Sequence, residues 1–273
     1  MNDGAEVRVG AATDVGLVRE VNEDSFLAQP PAFVVADGMG GHDGGDIASS
    51  VVVEEFGRLG RVDYDQTRAA EVVTETLLAC QRRLDEYGDT HRGSDGGRWR
   101  GGTTVVVAML VDPDAPHWLL ANLGDSRIYA VLGGELVRVS VDHSLVQELV
   151  DAGEITEEEA AVHPERHIVT RALGGPDEVD PDFFVLEVAD APRILLCSDG
   201  VTGMIDDAEI AALLAEHADP GEAAGRIVAA AVAAGGIDNA TALVVDVMGW
   251  SGDRTDESPH ERESPHERPG ALT

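Results

Sequence analysis

The chain has 273 residues, long for one domain and short for two, and its 43% hydrophobic content is enough to bury a core without disulfide or metal staples. Its 52 acidic residues against 19 basic ones give a net charge of -33, a surface that repels nucleic acid and anionic lipid, so neither is expected as a partner. Every basic residue is Arg, and without Lys the chain cannot build a P-loop, a protein-kinase ATP site or a Schiff-base centre.

The first twenty residues carry no basic-then-apolar leader pattern. No apolar run approaches the ~20 residues that span a bilayer, so a cytoplasmic location is expected; the chain is also expected to be a monomer. The first strand-like run is 32–36, short, apolar and bounded by Pro31 and Asp37. Helical patterns cover 46–59 and 67–87, and residues 87–100, rich in Gly, Asp and Arg, read as an exposed loop. β-Branched and apolar residues predict strands at 103–111 and 118–122. The runs 128–132 and 136–140 flank Gly133-Gly134-Glu135 and predict a hairpin on a glycine turn. Helical patterns follow at 145–152 and 157–162, inside a polar stretch, 144–175, that interrupts the strands and reads as an inserted lobe.

A strand at 194–197, helices at 208–217 and 221–234, and a strand at 242–247 complete the order. Asp206 or Asp207 is placed to cap the first of those helices, and Asp219-Pro220 to open the second. Short adjacent strands joined by hairpins, with long helices elsewhere, predict an α+β chain of antiparallel sheets covered by helices rather than a βαβ repeat. From 249 to 273 the tail holds Glu-Ser-Pro-His-Glu-Arg twice in succession, at 257–262 and 263–268. It reads as disordered, with its histidines solvated rather than ligating.

Cys80 and Cys197 offer neither a disulfide framework nor a C-x-x-C zinc spacing, and Cys197, in an apolar run, reads as a core thiol. A cysteine phosphatase would need an Arg six positions after its Cys, where Glu86 and Gly203 stand. Four segments instead place an Asp at the end of an apolar strand beside Gly or Asn: Asp37-Gly38, Gly124-Asp125, Asp199-Gly200 and Asp238-Asn239. A fifth acidic cluster, Asn22-Glu23-Asp24, follows Arg19. One Asp-Gly is an ordinary turn; the signal is the joint occurrence and order of the set. A carboxylate just beyond a buried strand is costly unless something pairs with it, and this chain has few cations to do so. Divalent metal is the natural partner, and an oxygen-only ligand set suits Mg²⁺ or Mn²⁺ over Zn²⁺. The adjacent glycines let the backbone turn sharply and bring a carbonyl close to an ion.

Taken in order, these segments resemble the metal-dependent protein phosphatase family, type 2C, in its bacterial form. The resemblance covers about 7–247 and runs through Arg19-x-x-Asn22-Glu23-Asp24, Asp37-Gly38-Met39-Gly40-Gly41-His42, Gly102-Thr103-Thr104 and Gly124-Asp125-Ser126-Arg127. It continues with Asp142-His143-Ser144, His163-Pro164, Thr170-Arg171-Ala172-Leu173-Gly174, Ser198-Asp199-Gly200 and Asp238-Asn239-x-Thr241. It implies a four-layer α-β-β-α sandwich, with the catalytic domain over 1–248, the tail beyond it, and 144–175 as a flap beside the site. Asp37 is then expected to bridge two Mn²⁺ or Mg²⁺ ions, Gly38 to ligate one through its carbonyl, and Asp199 and Asp238 to hold the other. Glu23 and Asp24 match positions that reach the metals through water. Asp125 matches one tied, with Asp199, to a weaker third ion. Arg19 matches the residue that binds substrate phosphate.

The implied reaction is hydrolysis of phosphoserine and phosphothreonine in proteins by a metal-activated water, with no covalent enzyme intermediate. Phosphorylated proteins, among them Ser/Thr kinases or their substrates, are the implied partners. His42 is a candidate general acid, with a structural or water-positioning role open beside it; His143 reads as a group that orients the flap. Asp43-Gly44-Gly45-Asp46 and Val201 depart from the family's usual residues without touching an expected ligand. A non-catalytic phosphoprotein-binding version of the fold would lack a metal Asp, and none is missing. A small-molecule phosphoesterase is the other alternative, against which the flap favours protein substrates. The acidic surface suits substrates with basic segments around the phosphosite.

Overall fold

The runs Ala32–Ala36 and Val105–Val111 are buried almost throughout, as strands are when both faces of their sheet are covered. The computed structural model describes residues 6–40, 44–60, 64–93, 96–97, 99–112, 114–176 and 178–249. Its elements in chain order are β1 (Glu6–Asp14), β2 (Ser25–Gln29), β3 (Ala32–Ala36), β4 (Gly38–Met39), α1 (Gly45–Gly57), α2 (Gln66–Thr90), β5 (Gly102–Thr103), β6 (Val105–Val111), β7 (His117–Leu123), β8 (Arg127–Leu132) and β9 (Glu135–Arg138). They continue with α3 (Leu145–Asp151), α4 (Glu157–Ala161), β10 (Asp182–Glu187), β11 (Arg193–Cys197), α5 (Asp199–Thr202), α6 (Asp207–Glu216), α7 (Pro220–Ala233) and β12 (Ala240–Met248).

One antiparallel sheet has the order β1-β12-β11-β8-β9, a second β10-β7-β6-β3-β2, and β4 pairs with β5 in a short ribbon. The alternation of side chains along each strand sorts three cores. Phe33 and Val35 point between the sheets to meet Ile128, Ile194, Leu196 and Val245. Val34 and Val107 point the other way, under Val52, Phe56 and Leu77 of α1 and α2. On the far sheet, Leu195 and Val244 pack beneath Ile210 of α6 and Ile227 of α7. The result is the expected four-layer α-β-β-α sandwich. Cys80 and Cys197 are both buried free thiols. Burial pushes the Cys197 thiol up to about 12, so it is an inert core group.

The structure adjusts several boundaries. Helix α2 runs to Thr90, and Trp99 of the predicted exposed loop is buried with its ring 5.2 Å from that of Tyr87. The predicted strand at 103–111 splits into β5 and β6, which pair with different partners. Asp206, rather than Asp207, caps α6 by accepting from the Glu209 amide at 2.9 Å. Asp219 caps α7 through the amides of Gly221 and Glu222. Four strands went unread in the sequence: β1, β2, the two-residue β4 and β10. The inserted stretch carries α3 and α4; the antiparallel bridge Ser144–Val169 closes its start on its return, and Thr103–Leu173 ties that return to the body. Among the described residues no helix is long and apolar enough to cross a membrane. The duplicated tail and His42 lie outside the described residues.

Candidate functional site

Strand register brings the predicted acidic segments together. In one sheet Asp14 pairs with Ala240 and Cys197 with Ala242, so the loop after β1, Asp238 before β12 and Asp199 after β11 share one end. Arg127 pairs with Cys197, which adds Asp125 before β8. In the other sheet Ser25 pairs with Ala36, which sets Asp24 and Asp37 side by side at one end of that pair. Hydrogen bonds join the two groups: Asp24 Oδ2 accepts from Ser198 Oγ at 2.8 Å and from Thr241 Oγ1 at 2.6 Å.

The hydroxyl protons around Asp24 can be assigned by elimination. Asn22 Nδ2 donates to Thr13 Oγ1 at 2.8 Å, Thr13 to Thr241 at 2.7 Å, and Thr241 to Asp24. Ser198 Oγ accepts the Thr241 amide at 2.9 Å and gives its own proton to Asp24. Every donor converges on Oδ2. Oδ1 is buried with no partner, a costly state for a carboxylate oxygen. Burial pushes the Asp24 carboxyl up to about 7 despite the two hydroxyls, with Asp199 and Asp238 adding to it.

Asp37 is fixed through its backbone: its carbonyl accepts from Thr103 Oγ1 at 2.9 Å and from the Thr104 amide at 3.0 Å. Its side chain shares a hydrogen bond with Asp199, and burial, then the charges of Asp24, Asp199 and Asp125, hold it well above the usual carboxylate range. Burial also raises Asp125, to about 8, with Asp199 and Asp142 contributing. Asp199 is raised by burial and by Asp238, and lowered by its bond to Asp37 and by the nearby charges of His167 and Arg19. Glu23 is raised by burial and then by Asp46, while Arg19 pulls it down. Its amide donates to Asn239 Oδ1 at 2.8 Å and its carbonyl accepts from Ser49 Oγ at 2.6 Å.

Two glycines permit this crowding. A Cβ on Gly38 would stand 2.3 Å from the Gly45 carbonyl oxygen and 2.4 Å from that of Glu23; one on Gly200 would stand 1.8 Å from the Asn239 carbonyl oxygen. Arg19 closes the rim, its Nη2 2.6 Å from Asp238 Oδ2, with both side chains partly open to solvent. Asp238, Glu23 and Asp199 all strengthen the guanidinium's charge.

The residues fit hard divalent cations. The donors are oxygens alone, one buried carboxylate oxygen has no partner, and burial with mutual repulsion raises five neighbouring carboxyls, a balance that cationic charge would relieve. Among the described residues no three His, Cys, Asp or Glu side chains are drawn into a ligand cage; Asp37 leans on Asp199, and Asp238 faces Arg19.

His143 takes the positioning role expected of it. Its Nδ1 accepts the Gly124 amide at 3.1 Å, so Nε2 carries the proton and donates to Asp182 at 3.2 Å. Its carbonyl accepts from the Thr170 amide, anchoring the return of the flap. Sequence reasoning quoted Ser198, Thr241 and Asn239 only as parts of motifs. The structure makes them the groups that hold Asp24 and the loop after β1. Sequence reasoning missed His167 of the flap, which lowers the Asp199 carboxyl.

A family model described as protein phosphatase 2C matches residues 18–234. The chain is 34% identical over 242 residues to the serine/threonine phosphatase stp of Listeria innocua, covering 86% of this chain and 93% of that one. The crystal structure of the Mycobacterium tuberculosis serine/threonine phosphatase PstP/Ppp is similar with a TM-score of 0.78 and 34% identity, over 88% of this chain and 98% of that one. The catalytic domain of the serine threonine protein phosphatase PstP in complex with two manganese ions gives a TM-score of 0.74 and 33% identity, over 89% of this chain and 99% of that one.

Proposed function

Because the chain belongs to the protein phosphatase 2C family, and is with it a metal-dependent serine/threonine protein phosphatase, we propose a role for each residue of the site. Asp37, the Gly38 carbonyl, Asp199 and Asp238 would hold two Mn²⁺ or Mg²⁺ ions, in keeping with the two manganese ions of PstP. Glu23 and Asp24 would act through water, and Asp125 with Asp199 would hold a weaker third ion. Bound there, the ions supply Lewis acidity, bringing the pKa of water toward neutrality and offsetting phosphoryl charge.

The chain's own residues do the rest. Arg19 swings from Asp238 to the phosphate, where a planar guanidinium meets two oxygens at once. The exposed ion pair that it leaves is worth only ~0–1 kcal/mol, so opening it costs little. Ser198 and Thr241 saturate one oxygen of Asp24 and leave the other, buried, without a partner. His42 is the candidate that gives the leaving oxygen its proton. The catalytic unit is residues 1–248, with the flap at 144–175 and 249–273 as a tail. The substrates are phosphorylated proteins, Ser/Thr kinases or their targets, met by a cytoplasmic monomer.

The observation that carries the site assignment is Asp24: a buried carboxylate with one partnerless oxygen amid raised carboxyls. The test is hydrolysis of a phosphothreonine peptide by metal-stripped protein, with Mn²⁺ or Mg²⁺ restored, beside Asp37→Ala and Asp238→Ala. Activity should return with metal and vanish in both variants. Folded variants that keep wild-type activity would sink the assignment.

A further inference from the structure

Eight large hydrophobic side chains are exposed among the described residues, and four of them lie on the two loops that carry Arg19 and Asp238. Leu17, Val18 and Val21 are 71%, 64% and 58% exposed, and Ile237 is 56% exposed. The loops run side by side. The Leu17 amide donates to the Gly236 carbonyl at 2.7 Å, Arg19 meets Asp238 at 2.6 Å, and Asn239 Nδ2 donates to the carbonyls of Val15 and Val21 at 3.0 Å each. Gly16, at φ +78°, lets the chain pass where a Cβ would stand 2.4 Å from the Asp238 carbonyl oxygen. The loop is therefore pinned, and its aliphatic side chains are held outward by construction. Single exposed aliphatics are ordinary, but a group of them on a fixed polar rim marks a contact surface.

Resting on the proposed role of Arg19 as phosphate anchor, we propose that this rim recognises an apolar residue flanking the phosphorylated Ser or Thr of an extended substrate segment. The occupant follows from continuity with the site. Val18 adjoins Arg19 in sequence and Val21 lies two residues on, so these exposed side chains border the place where the phosphate would sit. At ~3.4 Å per extended residue, the positions within about three of the phosphosite are the ones that reach the rim. Charge selects in the same sense. Asp14 at the end of β1 and Glu20 and Glu23 in the loop that follows it disfavour acidic flanks. The surface therefore reads apolar or basic neighbours and rejects acidic ones.

The test uses the full chain with Mn²⁺ and three substrates: p-nitrophenyl phosphate, a phosphothreonine peptide flanked by Leu, and the same peptide flanked by Ser. Wild-type kcat/KM should be about tenfold higher for the Leu peptide, as expected from half-burying one large aliphatic side chain. In Val18→Ser/Val21→Ser the preference should shrink to about twofold, with p-nitrophenyl phosphate turnover and the melting temperature unchanged. Ile237→Ser, on the other loop, should reduce the same preference and serves if the double variant melts early. Equal kcat/KM on both peptides with p-nitrophenyl phosphate turnover intact would overturn the proposal and leave the phosphatase assignment standing. No turnover of any substrate would overturn both. A wild-type dimer by sedimentation, lost in the double variant while peptide preference persists, would give the patch to a second copy of the chain and also overturn it.

Discussion

Stripping divalent cations from this protein should make its stability fall as pH rises toward and past neutrality. The carboxyls of Asp24 and Asp125 are pushed up from 3.8 to about 7 and about 8 in the fold, while the unfolded chain returns them to ~3.9. A carboxyl whose folded pKa lies above its unfolded one costs nothing below the unfolded value. It penalises folding increasingly as pH rises through the folded value. Between about pH 5.5 and about pH 8 the unfolded chain has already released both protons, and the fold gives them up late. At ~1.4 kcal/mol per pH unit, Asp24 removes about 2 kcal/mol up to its folded pKa and Asp125 about 3 kcal/mol up to its own. For a chain of this size those two groups alone give a drop of roughly 10–20 °C in melting temperature, to which the raised Asp37 and Asp199 add in the same direction.

Thermal melts followed by circular dichroism in chelator, across that range, measure it. Asp24→Asn isolates the contribution of that one group and should remove about 2 kcal/mol of the total fall. Excess Mn²⁺ should reverse the trend, because cation and proton compete for the same oxygens. A chelated protein whose melting temperature is flat or rising over this range, with Asp24→Asn indistinguishable from wild type, would refute the reasoning.

Arg193 meets Asp246 twice at 2.7 Å and also caps the carbonyls of Leu214 in the last turn of α6 and of His217 and Ala218 just after it, so Arg193→Ala should cost about 3–5 kcal/mol in urea unfolding by stranding a buried carboxylate. Gly200→Ala drives a methyl group to 1.8 Å from the Asn239 carbonyl oxygen and should lose about 3 kcal/mol or more together with phosphatase activity, both read from one purified sample. Arg19→Lys keeps the charge but loses the fork, so kcat/KM on a phosphothreonine peptide should fall about tenfold, the worth of one hydrogen bond to a charged group, with the melting temperature unchanged.

The strands legible in the sequence and those missed differ in where they sit. β3, β6, β7, β8, β11 and β12 are flanked on both sides within their sheets and read as apolar runs; β1, β2 and β10 are edge strands. An edge strand is partly exposed, so its composition loses the apolar signal. In β1 the signal is weakened further by Gly10, where a Cβ would stand 2.1 Å from the Gly221 amide nitrogen of α7. β9 is also an edge and was found only because Gly133 and Gly134, both at positive φ, announce its hairpin. At the site, the aspartates were legible because each ends a buried strand next to a turn residue. Their supports were not. Thr241 and Asp24 are 217 positions apart, and so is nothing that local pattern can pair. His167 sits in a polar insert without periodicity, where no spacing marks one residue above another.

The precision of the site is inherited from register rather than built by the loops that carry it. Asp24 and Asp37 each stand one residue outside the pair Ser25–Ala36, while Ser198 and Thr241 each stand one residue outside Cys197–Ala242 in the opposite sheet. A slip of one residue in either pairing would send its side chains to the other face. The slip is blocked because Phe33 and Val35 of one sheet and Leu196 and Leu243 of the other are committed to the same core between the sheets. That core therefore has two consequences at once. It fixes where the mutually repelling carboxyls of Asp24 and Asp37 must stand, and it supplies the burial free energy that offsets their repulsion when no cation does. A conservative enlargement in the core between the sheets should thus disturb the site through strand position.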